Sequence, residues 1–258
     1  MRKGTVRIIL LRRGAVMLLA ALCIAAGIFY VVNYPSAVSA VASQRQLPIY
    51  SVDRPEKLCA ISFDATWGND NTQLLIDILA RYNIKSTFFV VGDWVDKYPE
   101  SVKALHEAGH EVMNHSNHHD HYNSLTAQEI IADVTACNEK ISAITGVCPT
   151  LIRCPYGEYD DHVISAIRSM GMEPVQWDTD SLDWKDLSAD AITKRVCEKA
   201  KAGSIVLFHN AGLNTPEALP DILEHLIQEG YTVVPISQLI YWENYTVDHS
   251  GRQCPVTE

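Results

Sequence analysis

The stretch LCAISFDATW, residues 58–67, places a run of apolar and β-branched residues directly before a single carboxylate, Asp64. Such a run followed by a polar loop predicts a buried β-strand whose carboxyl end carries a polar group. Further apolar runs follow to the end of the chain, at residues 86–91, 110–114, 150–154, 173–177, 204–208 and 232–236. We therefore expect about seven strands.

The segments between these runs have apolar residues at spacings of three and four, which predicts amphipathic helices. They occupy residues 71–82, 101–109, 126–146, 161–171 and 215–230, and several end at a glycine that can stop a helix. Strands that alternate with helices predict parallel β/α units, arranged as a barrel or as an open doubly wound sheet. In both folds the functional residues collect at the carboxyl ends of the strands.

Residues 14–32 carry no charge, and a helix of this length can cross about 30 Å of hydrocarbon. Only basic charges precede it, so the positive-inside rule predicts a single-pass anchor in the cell membrane with the rest of the chain outside the cytoplasm. A signal peptide cleaved near Val38-Ser39-Ala40 and a buried soluble helix are the alternatives. The expected segments are 1–13 cytoplasmic, 14–32 anchor, 33–57 linker, 58–250 catalytic-sized domain and 251–258 tail.

The exported part is strongly acidic, because removing five N-terminal basic residues leaves 16 Lys and Arg against 31 Asp and Glu. Long-range repulsion therefore argues against nucleic acid as a partner. The chain has seven cysteines, none of them in a CxxC or Cys/His zinc spacing. The six exported cysteines can either pair in an oxidising compartment or serve as small buried apolar residues, and the sequence leaves both open.

Polar residues follow the predicted strands at regular positions. The parallel arrangement brings such strand ends to one rim. The residues are Asp64, His115, His119, Arg153, Asp178, Asp180, Asp183 and His209.

The segment NHSNHHDH, residues 114–121, contains four histidines. His115 and His119 are four residues apart, a spacing that on one helical turn places both imidazoles on one face, where they can hold a divalent ion. A polar surface turn is the alternative for this pair. His118 and His121 are out of register with it and are expected at the surface or behind the ligands.

Two other strand ends suggest acid–base chemistry. Arg153 precedes a Pro155–Gly157 turn, and its guanidinium can hold a carboxylate while the rigid turn aims an N–H at an oxyanion. His209 at a strand exit can act as a general acid beside a carboxylate. A structural ion pair for Arg153, a helix cap for Asp183 and a core position for His209 are the alternatives.

The segments SFDATWGND, HSNHH, RCPYG, DSLDW and LFH occur in this order between about residues 57 and 250. Together they resemble the polysaccharide deacetylases of the NodB-homology type, carbohydrate esterase family 4, and in particular their sporulation-associated branch. The resemblance implies a distorted, incomplete (β/α) barrel that removes N-acetyl groups from a cell-wall polysaccharide, either peptidoglycan or a chitin-like amino sugar. It also implies a divalent metal, usually zinc.

The resemblance assigns roles residue by residue. Asp64 is the implied catalytic base and His209 the general acid, and His115 and His119 are the implied metal ligands. The residues implied to bind the substrate or to orient the catalytic groups follow. Arg153 orients the base, and Tyr156 after Pro155 offers its backbone N–H to the oxyanion. Asp183 with Trp184 tunes the acid and walls the groove, and Leu207 adds a hydrophobic wall.

The sequence departs from the family pattern at two positions. The family usually has a second aspartate after the base, as a metal ligand, and here that position is Ala65; Cys154 replaces a proline. An anionic ligand offsets the charge of the ion, so its loss weakens the predicted metal site. Asp64 itself, water, or Asp70 or Asp120 from a loop can fill the vacancy, although Asp70 also fits a helix cap.

Three functions are compatible with these residues. The first is a monomeric, membrane-anchored N-deacetylase of a cell-wall glycan in sporulation, facing the wall or the space around the forespore. The second is a metal-deficient pseudoenzyme that binds glycan without turnover, which Ala65 favours. The third is a hydrolase that uses the same rim on another acyl or amide substrate.

Overall fold

The computed structural model of the protein describes residues 13–33 and 45–256, which fall into two units. The first unit contains helix α1 (Arg13–Asn33), whose described side chains, at residues 17–30, are exposed. Within the described residues, no helix is both long enough and apolar enough to cross a membrane. The predicted anchor is thus not confirmed, and most of the predicted cytoplasmic segment (1–12) and part of the linker (34–44) lie outside the described residues.

The second unit is built around a curled sheet. Its strands in chain order are β1 (Ser51–Val52), β2 (Leu58–Ala65), β3 (Thr87–Val90), β4 (Glu111–Asn114), β5 (Leu151–Ile152), β6 (Glu173–Pro174), β7 (Thr179–Asp180), β8 (Ile205–His209), β9 (Thr232–Val233), β10 (Tyr245–Val247) and β11 (Arg252–Pro255). The main sheet has the order β6-β5-β4-β3-β2-β8-β7, and all its neighbours are parallel. The predicted incomplete barrel of about seven parallel strands is confirmed.

The remaining helices cover this sheet. They are α2 (Thr72–Arg81), α3 (Gly92–Lys97), α4 (Pro99–Glu107), α5 (Ala127–Thr145), α6 (Asp161–Ser169), α7 (Ala189–Lys199), α8 (Thr215–Gln228) and α9 (Ile236–Leu239). Helix α5 begins with a reciprocal capping box between Thr126 and Glu129 and ends at Gly146, which adopts the left-handed conformation.

The connection between β6 and β7 shows why the sheet must curl. These two strands are the outer edges of the main sheet, yet only residues 175–178 join them. A flat sheet of seven strands would separate its edges by about 29 Å, whereas five Cα–Cα steps reach at most about 18 Å. The short connection therefore forms a seam between the two edges. Ile49 pins it, because its N–H donates to Pro174 O and its carbonyl accepts from the Gln176 N–H.

Strand β2 lies at the centre and separates two layers of the core. Its alternate residues Cys59, Ile61 and Phe63 pack in the helix-side cluster, whereas Ala60 packs with Phe89 and Ile205 in a second cluster. This division follows from the two-residue period of a strand. β2 is therefore buried on both faces, which accounts for its nearly continuous apolar sequence.

The elements that the sequence analysis did not predict are the strands β1, β7, β10 and β11 and the helices α3, α7 and α9. The strand β7 and the sheet β1-β11-β10 contain segments of two to four residues, too short to show a period. β1 lies in the predicted linker and β11 in the predicted tail, and the buried residues Ile49, Val52 and Gln253 belong to the domain core. The domain thus extends beyond 58–250 at both ends.

Candidate active site

A groove of about 360 Å³ opens at the carboxyl ends of the strands. The predicted site residues Asp64, His115, His119, Tyr156, Trp184, Leu207 and His209 line it. Arg153 and Asp183 are fully buried beside it, where they bind Asp64 and His209. The structure therefore brings together residues from β2, β8 and the loops after β4, β5 and β7.

Asp64 is a buried carboxylate held by a buried guanidinium. Arg153 Nη1 donates to Asp64 Oδ1 at 2.7 Å, and Nη2 donates to Ser62 Oγ and to the Gln176 carbonyl at 2.9 and 3.1 Å. Burial alone would raise the pKa of Asp64, but the charges of Arg153, His115 and His209 hold it below its ordinary value. Asp64 is therefore ionised at neutral pH, and Arg153 fixes its orientation.

Strand register places the candidate acid beside the candidate base. Asp64 and His209 are paired residues on the neighbouring strands β2 and β8. Side chains at paired positions of adjacent strands point to the same face, and both of these line the groove. Asp64 and His209 therefore lie side by side because β2 pairs with β8 in this register.

A fully buried carboxylate holds His209. Asp183 Oδ1 contacts His209 Nδ1 at 2.8 Å, and Asp183 Oδ2 accepts from the His209 N–H and from Thr215 Oγ1. Burial lowers the pKa of His209, but the hydrogen bond and charge of Asp183, with Asp64 and Asp180, raise it above its ordinary value. Asp183 is thus a partner of His209 rather than the helix cap considered as an alternative.

The two predicted metal ligands do lie together, but a helical turn does not bring them there. The chain after β4 is a bent loop in which Ser116 and His119 have φ values of 72° and 59°. The rings of His115 and His119 are 5.0 Å apart between centroids. His118 and His121 are largely exposed and pair with Asp93 and Glu158, as expected of surface residues.

Both imidazoles are suited to bind a cation. His115 Nδ1 lies 2.7 Å from the Arg153 carbonyl, which can only accept, so the proton is on Nδ1 and Nε2 carries the free lone pair. That Nε2 lies 3.6 Å from Asp64 Oδ2. Burial lowers the pKa of His115, and burial with the charge of His115 lowers the pKa of His119 to about 4. Both rings are therefore neutral near pH 7.

A complete metal site does not follow from these two rings. Ala65 is fully buried and packs in the helix-side cluster instead of lining the groove. Asp70 and Asp120, the loop acids that could fill the vacancy, are both exposed and do not line the groove. Throughout the described residues, no group of three or more His, Cys, Asp or Glu side chains is arranged to hold a metal. These residues can therefore offer a metal two imidazole ligands, but they do not form a site with three protein ligands.

The Pro155–Gly157 turn shapes one end of the groove. Tyr156 has φ 58° and ψ 5°, a left-handed conformation that costs a non-glycine residue energy, and its side chain is exposed. Its ring contacts both His119 and His121. Pro155 is buried and fixes the start of the turn. The turn therefore holds Tyr156 in place against the histidine loop.

Two aromatic groove residues were not singled out by the sequence reasoning. Trp67 and Trp177 line the groove together with Asp180, which was expected at this rim. Trp67 stands three residues after Asp64, so its position at the same strand end was an available signal. Trp177 lies in the seam between β6 and β7, whose location depends on curling that no local pattern shows.

The cysteines do not contribute to this site. All seven lie in the described residues and none is paired there, with Cys59, Cys137 and Cys154 buried. Burial raises the pKa of each of these three thiols to about 12, so they act as small apolar residues.

The fold and site together define a (β/α) half-barrel with the candidate base Asp64 and the candidate acid His209 at its mouth. The family model for polysaccharide deacetylase matches residues 51–175. The chain is 30% identical over 200 residues to a peptidoglycan-N-acetylglucosamine deacetylase of Bacillus cereus, covering 76% of this chain and 93% of that protein. This chain belongs to the polysaccharide deacetylase family, carbohydrate esterase family 4.

A second relative is larger. The chain is 34% identical over 189 residues to the peptidoglycan-N-acetylmuramic acid deacetylase PdaC of Bacillus subtilis, covering 73% of this chain but 40% of that protein. It likewise spans 44% of the Listeria monocytogenes peptidoglycan-N-acetylglucosamine deacetylase PgdA. The chain thus corresponds to less than half of these two relatives.

A similar solved structure shows that this family includes pseudoenzymes. A carbohydrate esterase family 4 pseudoenzyme from Bacillus anthracis superposes with a TM-score of 0.72 at 31% identity, covering 74% of this chain and 68% of that one. A mutant of that protein is described as having restored enzymatic activity. The family therefore contains at least one member with this fold that is not an active enzyme.

Proposed function

We propose that this chain removes N-acetyl groups from a cell-wall glycan, with peptidoglycan or a chitin-like amino sugar as substrate. One observation carries the proposal. Asp64 and His209 are paired residues of β2 and β8 that both line the groove, and each contacts a buried side chain of opposite charge. The lowered pKa of Asp64 favours its deprotonated form, as a base requires, and the raised pKa of His209 favours its protonated form, as an acid requires. Hydrolysis of an amide requires both states at the start.

The proposed mechanism uses these residues in order. Asp64, held by Arg153, takes a proton from the attacking water, and His209, held by Asp183, protonates the departing amine. The family resemblance assigns the Tyr156 N–H to the developing oxyanion. A metal on His115 and His119 would polarise the acetyl carbonyl, but the two-imidazole donor set is incomplete, so no step is derived through it.

The setting of this reaction is also a proposal. The uncharged run 14–32 after five basic residues supports a membrane anchor with the domain outside the cytoplasm. The resemblance of the five ordered segments to the sporulation-associated branch supports a role in sporulation, in the wall or around the forespore. We propose a monomer, and the net acidic charge argues against nucleic acid as a partner.

Acetate release tests the proposal. The full chain is incubated with an N-acetylglucosamine tetramer and with peptidoglycan, with and without added zinc, and acetate is measured. The assignment is supported if Asp64→Asn and His209→Gln each reduce acetate release at least a hundredfold. The matched control is Asp77→Asn on the exposed face of α2, which should release acetate like the wild type. Release that persists in Asp64→Asn would assign the chemistry to another group.

The second candidate is a glycan-binding pseudoenzyme. Ala65 favours it, because its buried position in the apolar cluster leaves the histidine pair without a third protein ligand. Glycan binding without acetate from the wild type, at any added metal concentration, would favour this candidate over the deacetylase.

A further inference from the structure

Trp67 is a large apolar side chain left exposed inside the groove. It is 54% exposed, and its ring lies 6.1 Å from that of His209 between centroids, with the planes inclined by 21°. The two rings therefore run nearly parallel and form one side of the groove. An indole exposed in a concave site offers an apolar surface that water solvates poorly.

The loop that carries Trp67 is held from below by two buried side chains. The carbonyl of the next residue, Gly68, accepts from Trp94 Nε1 at 2.7 Å and from Asn210 Nδ2 at 2.9 Å. Trp94 and Asn210 are each 1% exposed. Gly68 has φ 61°, a conformation that glycine adopts without strain. The indole is therefore presented by a fixed turn.

The same contacts tie Trp67 to the candidate acid. Asn210 directly follows His209, and its N–H donates to the Asp64 carbonyl at 3.1 Å. Asn210 thus connects the end of β2, the end of β8 and the Trp67 turn. The backbone of both strands therefore fixes where the Trp67 turn lies relative to His209. A ligand site requires this kind of preorganisation.

The chemistry of the groove defines what can lie on this surface. Its lining contains the carboxylates Asp64 and Asp180 and the aromatic rings of Trp67, Trp177 and Trp184, and none of its lining residues is Lys or Arg. Aromatic faces beside polar groups suit a ring with an apolar face and hydroxyls at its edge, and carboxylates disfavour an anionic ligand.

We propose that Trp67 is a sugar-stacking residue that determines specificity: the apolar face of an uncharged pyranose ring rests on the indole and its N-acetyl group is thereby presented to Asp64 and His209. This inference rests on the proposed function in taking an amino sugar as the ligand, but it does not require turnover. It predicts that Trp67 contributes to binding equally in an active enzyme and in a pseudoenzyme.

Calorimetric titration of the full chain with the uncharged N-acetylglucosamine tetramer tests this proposal. At about 25 cal/mol per Å², covering roughly 60 Å² of indole corresponds to about a tenfold change in affinity. We expect Trp67→Ala to weaken binding about tenfold and Trp67→Phe to retain most of it. The control is Trp242→Ala, a tryptophan of similar exposure outside the groove, which should leave affinity unchanged.

Acetate release, measured in parallel, separates the two proposals. If the wild type releases acetate, Trp67→Ala should raise KM by a larger factor than it lowers kcat, since stacking contributes to substrate binding in the ground state as well as in the transition state. If the wild type binds the tetramer but releases no acetate, the stacking role of Trp67 is still supported, whereas the proposed deacetylase activity is refuted. Equal affinity of wild type and a folded Trp67→Ala, or no tetramer binding by the wild type, overturns the stacking role.

Discussion

The buried ion pair of Arg153 and Asp64 gives a prediction whose size follows from the structure. Arg153 is fully buried, and Arg153→Met removes its hydrogen bonds to Asp64, Ser62 and the Gln176 carbonyl. Methionine fills much of the space, so the main effect is an uncompensated carboxylate at a site only 5% exposed. Removing one partner of a buried pair costs about 3–5 kcal/mol. We expect that loss in the free energy of unfolding at pH 7.

The sign of the pH dependence identifies the cause of the loss. In the wild type the pKa of Asp64 is lowered, so its stabilising contribution is present above the unfolded pKa and is lost as pH falls through the folded pKa. In Arg153→Met burial dominates and raises that pKa, so protonation favours the folded variant at acidic pH. The difference between the two proteins should therefore be largest near pH 7 and should shrink towards pH 4.

Urea denaturation of both full-length proteins, at pH 7 and near pH 4.5 with a chelator present, measures this difference. The matched control is Arg252→Met, because Arg252 pairs with Asp53 at a partly exposed position and should contribute less than about 1 kcal/mol. A loss of equal size at both pH values would refute the reasoning, since a packing defect does not depend on the ionisation of Asp64.

Three further changes have expected outcomes. Asp183→Asn removes the carboxylate that raises the pKa of His209, so the decline of acetate release with rising pH should begin at a lower pH than in the wild type. If the decline stays at the same pH, a group other than His209 controls it. Metal-free Ala65→Asp should melt below the wild type because it buries a carboxylate among apolar residues, and zinc should raise its Tm more than that of the wild type. Equal zinc shifts would mean that a carboxylate at this position does not reach the histidine pair. Thr126→Ala removes the N-cap of α5 and should lower the free energy of unfolding, measured in urea, by about 1 kcal/mol. An unchanged free energy of unfolding would contradict the capping role that Thr126 shares with Glu129.

Local patterns in the sequence were sufficient for the long elements and for the location of the site. The run 58–65 is apolar because β2 is buried on both faces, and its carboxylate lies where a strand end in a parallel sheet must lie. Asp64, His115 and His209 were therefore found from strand ends alone. The ligand role of His115 and the acid role of His209 followed from residue chemistry, and the resemblance added the roles of Asp64 as the base and of Asp183 beside the acid.

Non-local geometry accounts for what the sequence did not show. The His115 and His119 rings meet through a loop with left-handed residues, and a four-residue spacing cannot tell such a loop from a helical turn. The strands β1, β7 and β11 exist only because distant segments pair with them. Trp177 reaches the groove through the curl of the sheet, which no window of sequence contains.

The seam between β6 and β7 couples the N-terminal entry of the domain to the wall of its groove. Chain arriving from the N-terminal side enters the domain core at Ile49, whose two hydrogen bonds hold residues 174 and 176. Tension applied to that incoming chain meets the hydrogen bonds of Gln46 and Leu47 to helix α6 first, and the bonds of Ile49 next, one residue away from Trp177 in the groove wall. A pull on the N-terminal chain would therefore be transmitted through α6 and the seam towards the rim of the groove.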